Sequence, residues 1–181
     1  ALDCGNRLGL APERPLLALC PGAEFGGAKR WPDTYYAELA ERYLEKGWQV
    51  ALFGSANDQP VTAVIREQCG NHPRCLDLAG RTRLAEAVDL LSLATAVVSN
   101  DSGLMHIAAA VGTHVHGIYG SSSPAFTPPL TTERDVHWLD LDCSPCFERT
   151  CPLGHLRCLK DIHVTQLYEA IDRAHRRQKD T

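Results

Sequence analysis

Short apolar runs alternate with stretches in which apolar residues return every three or four positions, and the alternation continues along most of the chain. Leu16-Leu17-Ala18-Leu19-Cys20, Trp48-Gln49-Val50-Ala51-Leu52-Phe53, Cys75-Leu76-Asp77-Leu78-Ala79, Ala96-Val97-Val98, Val115-His116-Gly117-Ile118-Tyr119 and Val136-His137-Trp138-Leu139-Asp140-Leu141 read as strands. Continuous apolar runs of that length suit a sheet covered on both faces. Tyr36, Leu39, Ala40, Tyr43 and Leu44 mark a helix over about 33–46, with Asp33 as its cap. Further helices are expected over about 59–69, from a Thr82 cap to about 93, from Ser102-Gly103 to near Gly112, and over about 164–176. Repeated βα units imply right-handed crossovers, hence an α/β, Rossmann-like, doubly wound parallel sheet of about six strands.

Such sheets bind ligands beyond the carboxyl ends of their strands. Five glycine-rich or polar turns fall on that edge: 21–30, 54–58, 80–82, 100–103 and 120–123. In the fourth, Asn100-Asp101-Ser102-Gly103 joins a strand to a helix, with Asp101 or Ser102 as N-cap. That junction aims backbone N–H groups and a positive helix end at one point, which suits a phosphate. His106 lies one turn further on, where it can face the same ligand; the alternative is an ordinary βα turn with a half-buried histidine.

Lys29, in Gly26-Gly27-Ala28-Lys29-Arg30, is a flexible ammonium able to reach a diphosphate, and the alternative is a pair of solvated loop charges. Gly54-Ser55 and Gly120-Ser121 fit both ligand contact and plain turn chemistry. Asp58 suits ribose hydroxyls or a helix start, and Thr82 a cap or a contact. The G-x-S-x-G, Walker and G-x-G-x-x-G patterns are all missing, which argues against serine hydrolases, P-loop kinases and dinucleotide dehydrogenases.

Composition narrows the partners. At 181 residues, 44% apolar and 22% charged, the chain is long enough for one domain with a real core. A net charge of −4 gives no basic field for nucleic acid, and no run approaches a membrane span. The polar lead-in 1–15 is expected to be an interdomain linker before one domain, 16–181, cut from a longer chain. The basic end around Arg173, Arg176, Arg177 and Lys179 fits a solvated helix terminus better than lipid contact, so membrane contact is at most peripheral.

Eight cysteines are present, four of them scattered and four clustered in a loop at 143–158 as Cys143-x2-Cys146-x4-Cys151-x6-Cys158. Four thiolates at that spacing suit a structural Zn²⁺; free thiols or oxidation-formed disulfides are the alternatives.

The motif set resembles one family. Cys20-Pro21-Gly22-Ala23-Glu24-Phe25-Gly26-Gly27-Ala28-Lys29-Arg30-Trp31-Pro32, Leu52-Phe53-Gly54-Ser55, Leu78-Ala79-Gly80, the segment 100–110 and the segment 119–130 look like those of the lipopolysaccharide heptosyltransferases, glycosyltransferases of GT-B architecture. The resemblance implies the C-terminal, donor-binding lobe of a two-lobed enzyme at the cytoplasmic face of the inner membrane. It further implies inverting transfer of L-glycero-D-manno-heptose from ADP-heptose to the inner-core heptose of lipopolysaccharide, with no cofactor required. Lys29, Asp101 and His106 then stabilise the leaving ADP, and Ser102-Gly103 serve phosphate and sugar. Gly54-Ser55 and Thr82 lie against adenosine, and Gly120-Ser121 complete the donor site. The general base is expected in the partner N-terminal lobe, so this lobe alone is expected to bind donor without turnover. A stand-alone nucleotide- or sugar-binding module, a UDP-sugar epimerase-like GT-B enzyme and a zinc-stabilised interaction domain are the rival readings.

Overall fold

The computed structural model describes residues 1–180. In chain order its elements are α1 (Leu2–Arg7), β1 (Leu16–Cys20), α2 (Asp33–Glu45), β2 (Gln49–Leu52), α3 (Gln59–Gln68), β3 (Cys75–Asp77), α4 (Leu84–Ser92), β4 (Ala96–Asn100), α5 (Gly103–Ala110), β5 (Val115–Ile118), β6 (Arg134–His137), α6 (Arg157–Lys160) and α7 (Val164–Lys179). Two 3-10 turns, Gly27–Lys29 and Ala56–Asp58, follow β1 and β2.

All six strands run parallel in the order β3-β2-β1-β4-β5-β6, the expected doubly wound sheet. Every residue of β1, β2, β4 and β5 is buried, which is why these strands read as unbroken apolar runs. One face carries Leu17, Leu19, Val50 and Val98 against Tyr36, Tyr43 and Leu167 of α2 and α7. The other carries Ala18, Ala51 and Val97 against Leu90, Leu91, Met105 and Ala108 of α4 and α5.

Several boundaries differ from the sequence expectation. Asp33 is the first helical residue of α2, behind an uncapped Pro32, and its carboxylate is 3.2 Å from Arg30 instead. Thr82 does not cap α4; the helix begins at Leu84, and the Glu86 carboxylate accepts the Arg83 N–H at 2.9 Å. The sixth strand is Arg134–His137, not 136–141, because an edge strand with one exposed face is not continuously apolar and its Arg134 and Asp135 hid the register. The lead-in 1–15, expected as linker, contains α1, whose Arg7 pairs with Glu86 of α4. No helix of the described residues is long and apolar enough to cross a membrane.

Candidate functional site

The strand order reverses between β1 and β4, so the loops leaving these two strands diverge and open a crevice. Asn100, the fully buried last residue of β4, fixes one wall of it. Its Nδ2 donates to the carbonyls of Pro21 (2.8 Å) and Gly22 (3.3 Å). Its Oδ1 accepts from the Trp31 N–H (3.0 Å) and the Tyr36 hydroxyl (3.1 Å). One amide therefore ties both ends of the 21–31 loop to the sheet.

That loop carries Lys29. Its Nζ lies 2.7 Å from Oδ2 of Asp101, with side chains only 18% and 4% exposed. The ammonium also sits 4.9 Å from the centre of the Phe25 ring. Gly26 is needed for this path: its φ is +149°, and a Cβ there would stand 2.5 Å from the Arg149 carbonyl oxygen.

Beside the pair lies a cleft of about 660 Å³ whose walls include Arg30, Gly54, Ser55, Thr82, Ser102 and Gly103. The five turns expected to converge thus contribute four of their number to one concavity or its rim. No side chain caps α5, and Gly103 and Leu104 of its first turn face the cleft, so first-turn N–H groups there are open to an anion. Ser102 holds the N-cap position in extended backbone, but its hydroxyl lies 3.2 Å from that of Ser99 and caps nothing. Asp58 is committed to its own turn, with Oδ2 accepting from the backbone N–H and the hydroxyl of Ser55, both at 2.8 Å.

Other expected residues fall elsewhere. His106 is half-buried on α5 and is not part of the cleft lining, which takes Leu104 and Ile107 from that helix. Gly120 and Ser121 are buried behind Lys29's loop: the Ser121 N–H donates to Ala28 at 3.1 Å, and a Cβ on Gly120 would meet Leu159 at 2.6 Å. Two contributors were missed from sequence. Arg30, the cationic side chain in the cleft wall, was passed over beside Lys29, and Asn100 was read only as the end of a strand.

The cysteine loop lies remote from the motif turns in sequence, yet it abuts them in space. Arg149 accepts the Ala28 N–H (3.1 Å), Phe147 donates to Ser121 (2.7 Å), and the Ser144 hydroxyl donates to Gly120 (2.6 Å). All eight cysteines are free thiols. Burial, then proximity to Cys151, Cys143 and Cys146, pushes the Cys158 thiol up to about 11. The backbone N–H of Leu156, followed by those of Leu153, Gly154 and His155, holds Cys151 below the ordinary thiol range. Among the described residues the donor group at metal-ligand spacing is His114, His116 and Asp135.

Taken together, sheet order, reversal-point crevice and uncapped α5 define a doubly wound α/β lobe of the Rossmann class. The chain belongs to glycosyltransferase family 9 (heptosyltransferase), whose model matches residues 6–157. It is 54% identical over 129 residues to lipooligosaccharide heptosyltransferase 2 of Haemophilus influenzae, covering 70% of this chain and 37% of that one. It is 49% identical over 169 residues to lipopolysaccharide heptosyltransferase 2 of Escherichia coli, covering 92% and 49%. The solved E. coli ADP-heptose lps heptosyltransferase II superposes with a TM-score of 0.85 and 39% identity, over 98% of this chain and 51% of that one. The chain spans about half the length, or less, of these relatives.

Proposed function

We propose that this chain is the donor-binding half of an inverting heptosyltransferase that moves L-glycero-D-manno-heptose from ADP-heptose to the inner-core heptose of lipopolysaccharide. The observation that carries the reading is the Lys29–Asp101 pair at the β1/β4 reversal, beside a cleft walled by Arg30 and the open start of α5. As the glycosidic bond breaks, negative charge grows on the ADP phosphates. Arg30 and the amides of Ser102, Gly103 and Leu104 are placed to receive it, and Lys29 can leave Asp101 for the phosphate. The glycine-serine turn at Gly54-Ser55 and the Thr82 rim offer a seat for adenosine. These groups supply the charge stabilisation without a cofactor.

Removing the acceptor hydroxyl's proton needs a base, which this reading puts in an N-terminal lobe, together with most of the acceptor contacts. The lobe alone therefore binds donor and does not turn over. The whole enzyme would work at the cytoplasmic face of the inner membrane, touching lipid only peripherally. A structural Zn²⁺ held by Cys143, Cys146, Cys151 and Cys158 belongs to the same proposal.

Calorimetric titration with ADP, with UDP and GDP as controls, tests the reading. ADP-selective binding is expected, weakened about 10-fold or more in Arg30→Ala, Lys29→Ala and Asp101→Ala, each of which removes a charged contact or the group that positions one. Equal affinity for the three nucleotides, or ADP binding untouched by all three substitutions, overturns it.

A further inference from the structure

Away from the cleft, on the α7 side of the sheet, three imidazoles and two carboxylates gather along β5 and β6. Pairing of these strands sets His116 opposite Asp135. His114 Nε2 is 2.8 Å from Asp135 Oδ2, His116 Nδ1 is 3.8 Å from the same oxygen, and His137 Nε2 is 3.3 Å from His116 Nδ1. One donor atom from each of His114, His116 and Asp135 falls within 4.8 Å of the others.

Within the cluster His114 Nε2 faces Asp135 and His116 Nδ1 faces His137, while the opposite ring nitrogens, Nε2 of fully buried His116 and Nδ1 of buried His114, make no hydrogen bond. Ligands bound at 2.0–2.1 Å in a tetrahedron stand about 3.3 Å apart, and the two donor spacings to Asp135, 2.8 and 3.8 Å, bracket that value. Glu133 Oε2, 3.4 Å from His114 Nδ1, is placed to orient that ring from behind, as carboxylates do for metal-bound histidines. A cavity of about 310 Å³ lined by Asp135, His137 and Arg173 gives a route inward.

We propose that His114, His116 and Asp135 form a three-ligand structural site for a divalent transition ion, zinc by its ligand chemistry. Imidazole-rich sets with one carboxylate suit zinc and its neighbours and not magnesium or calcium. The ion would lock edge strand β6 to β5, a job left to few apolar contacts because β6 is half-exposed. Arg173 of α7 lines the same cavity and opposes the cation, and the carboxylates of Asp135 and Glu133 offset it.

Zinc titration against a chromophoric chelator tests this in a chain with Cys143, Cys146, Cys151 and Cys158 changed to serine, so that no loop thiolate contributes. One equivalent is expected, weakened about 100-fold or more by Asp135→Asn or His114→Ala and about 10-fold by Glu133→Gln. Cobalt(II) in the unaltered chain covers the case in which the serine variant fails to fold. Tetrahedral visible bands lost in Asp135→Asn support the site. No zinc bound by the folded serine variant, binding indifferent to Asp135 and His114, or a cobalt spectrum that is purely thiolate charge transfer overturns it.

Discussion

Lys29 and Asp101, 72 positions apart, meet at 2.7 Å between Nζ and Oδ2, with the carboxylate side chain only 4% exposed. The pair holds a cation at the reversal of the sheet while little water reaches it. An approaching phosphate meets an ammonium already held in place by Asp101, so the aspartate positions the lysine.

Breaking the pair from one side leaves a buried charge without its partner. Lys29→Met is expected to lower stability by about 2 kcal/mol, less than a fully buried pair because the lysine is partly wetted. Adding Asp101→Asn should recover most of that loss. Urea denaturation midpoints of the two single variants and the double variant provide the check; additive losses in the double variant would contradict it.

Asn100→Ala removes four buried hydrogen bonds and strands the Trp31 N–H. A loss of about 3 kcal/mol is expected. Because the amide anchors both ends of the Lys29 loop, nucleotide affinity should fall as well, in samples kept well below the lowered melting temperature. Thermal unfolding combined with titration at low temperature separates the two effects.

Gly120 serves packing, not contact with ligand. Gly120→Ala drives a methyl to within 2.6 Å of Leu159 and 2.7 Å of the Ala28 carbonyl, an overpacking that should cost about 1–3 kcal/mol. Ser121→Ala removes a buried hydroxyl that has no partner and is expected to leave stability unchanged or slightly raised. Chemical denaturation of both variants checks this, and a loss in Ser121→Ala comparable to that in Gly120→Ala would show that its hydroxyl is engaged.

The thiols should separate sharply in reactivity. Burial pushes Cys20 up to about 12, whereas backbone donors lower Cys151. Mass spectrometry after brief iodoacetamide treatment near pH 7.5 should find Cys151 alkylated first and Cys20 untouched. Since Cys20 keeps its proton in the fold and loses it more easily when unfolded, its contribution is intact below about pH 9. It then falls by about 1.4 kcal/mol per pH unit as the pH rises towards 12. A Cys20→Ala variant should flatten that alkaline limb.

The parallel sheet was legible in the sequence because β1, β2, β4 and β5 are buried on both faces, and burial on both faces writes itself as unbroken apolar runs. The turns at 54–55 and 100–103 were legible because tight βα junctions demand glycine and short polar residues. Helix starts were less so: Asp33 and Thr82 have capping chemistry, but Pro32 and Glu86 decided where α2 and α4 begin. Tertiary structure alone decided the rest. It set Asn100 to hold the Lys29 loop and brought the 143–158 loop against Ala28 and Ser121. It also gathered metal-spaced donors from His114, His116 and Asp135. The reason is physical: residue spacing along the chain constrains neighbours within one element. Which side chains meet across elements is settled by the register of β5 on β6 and of β1 on β4, and no local pattern encodes those pairings.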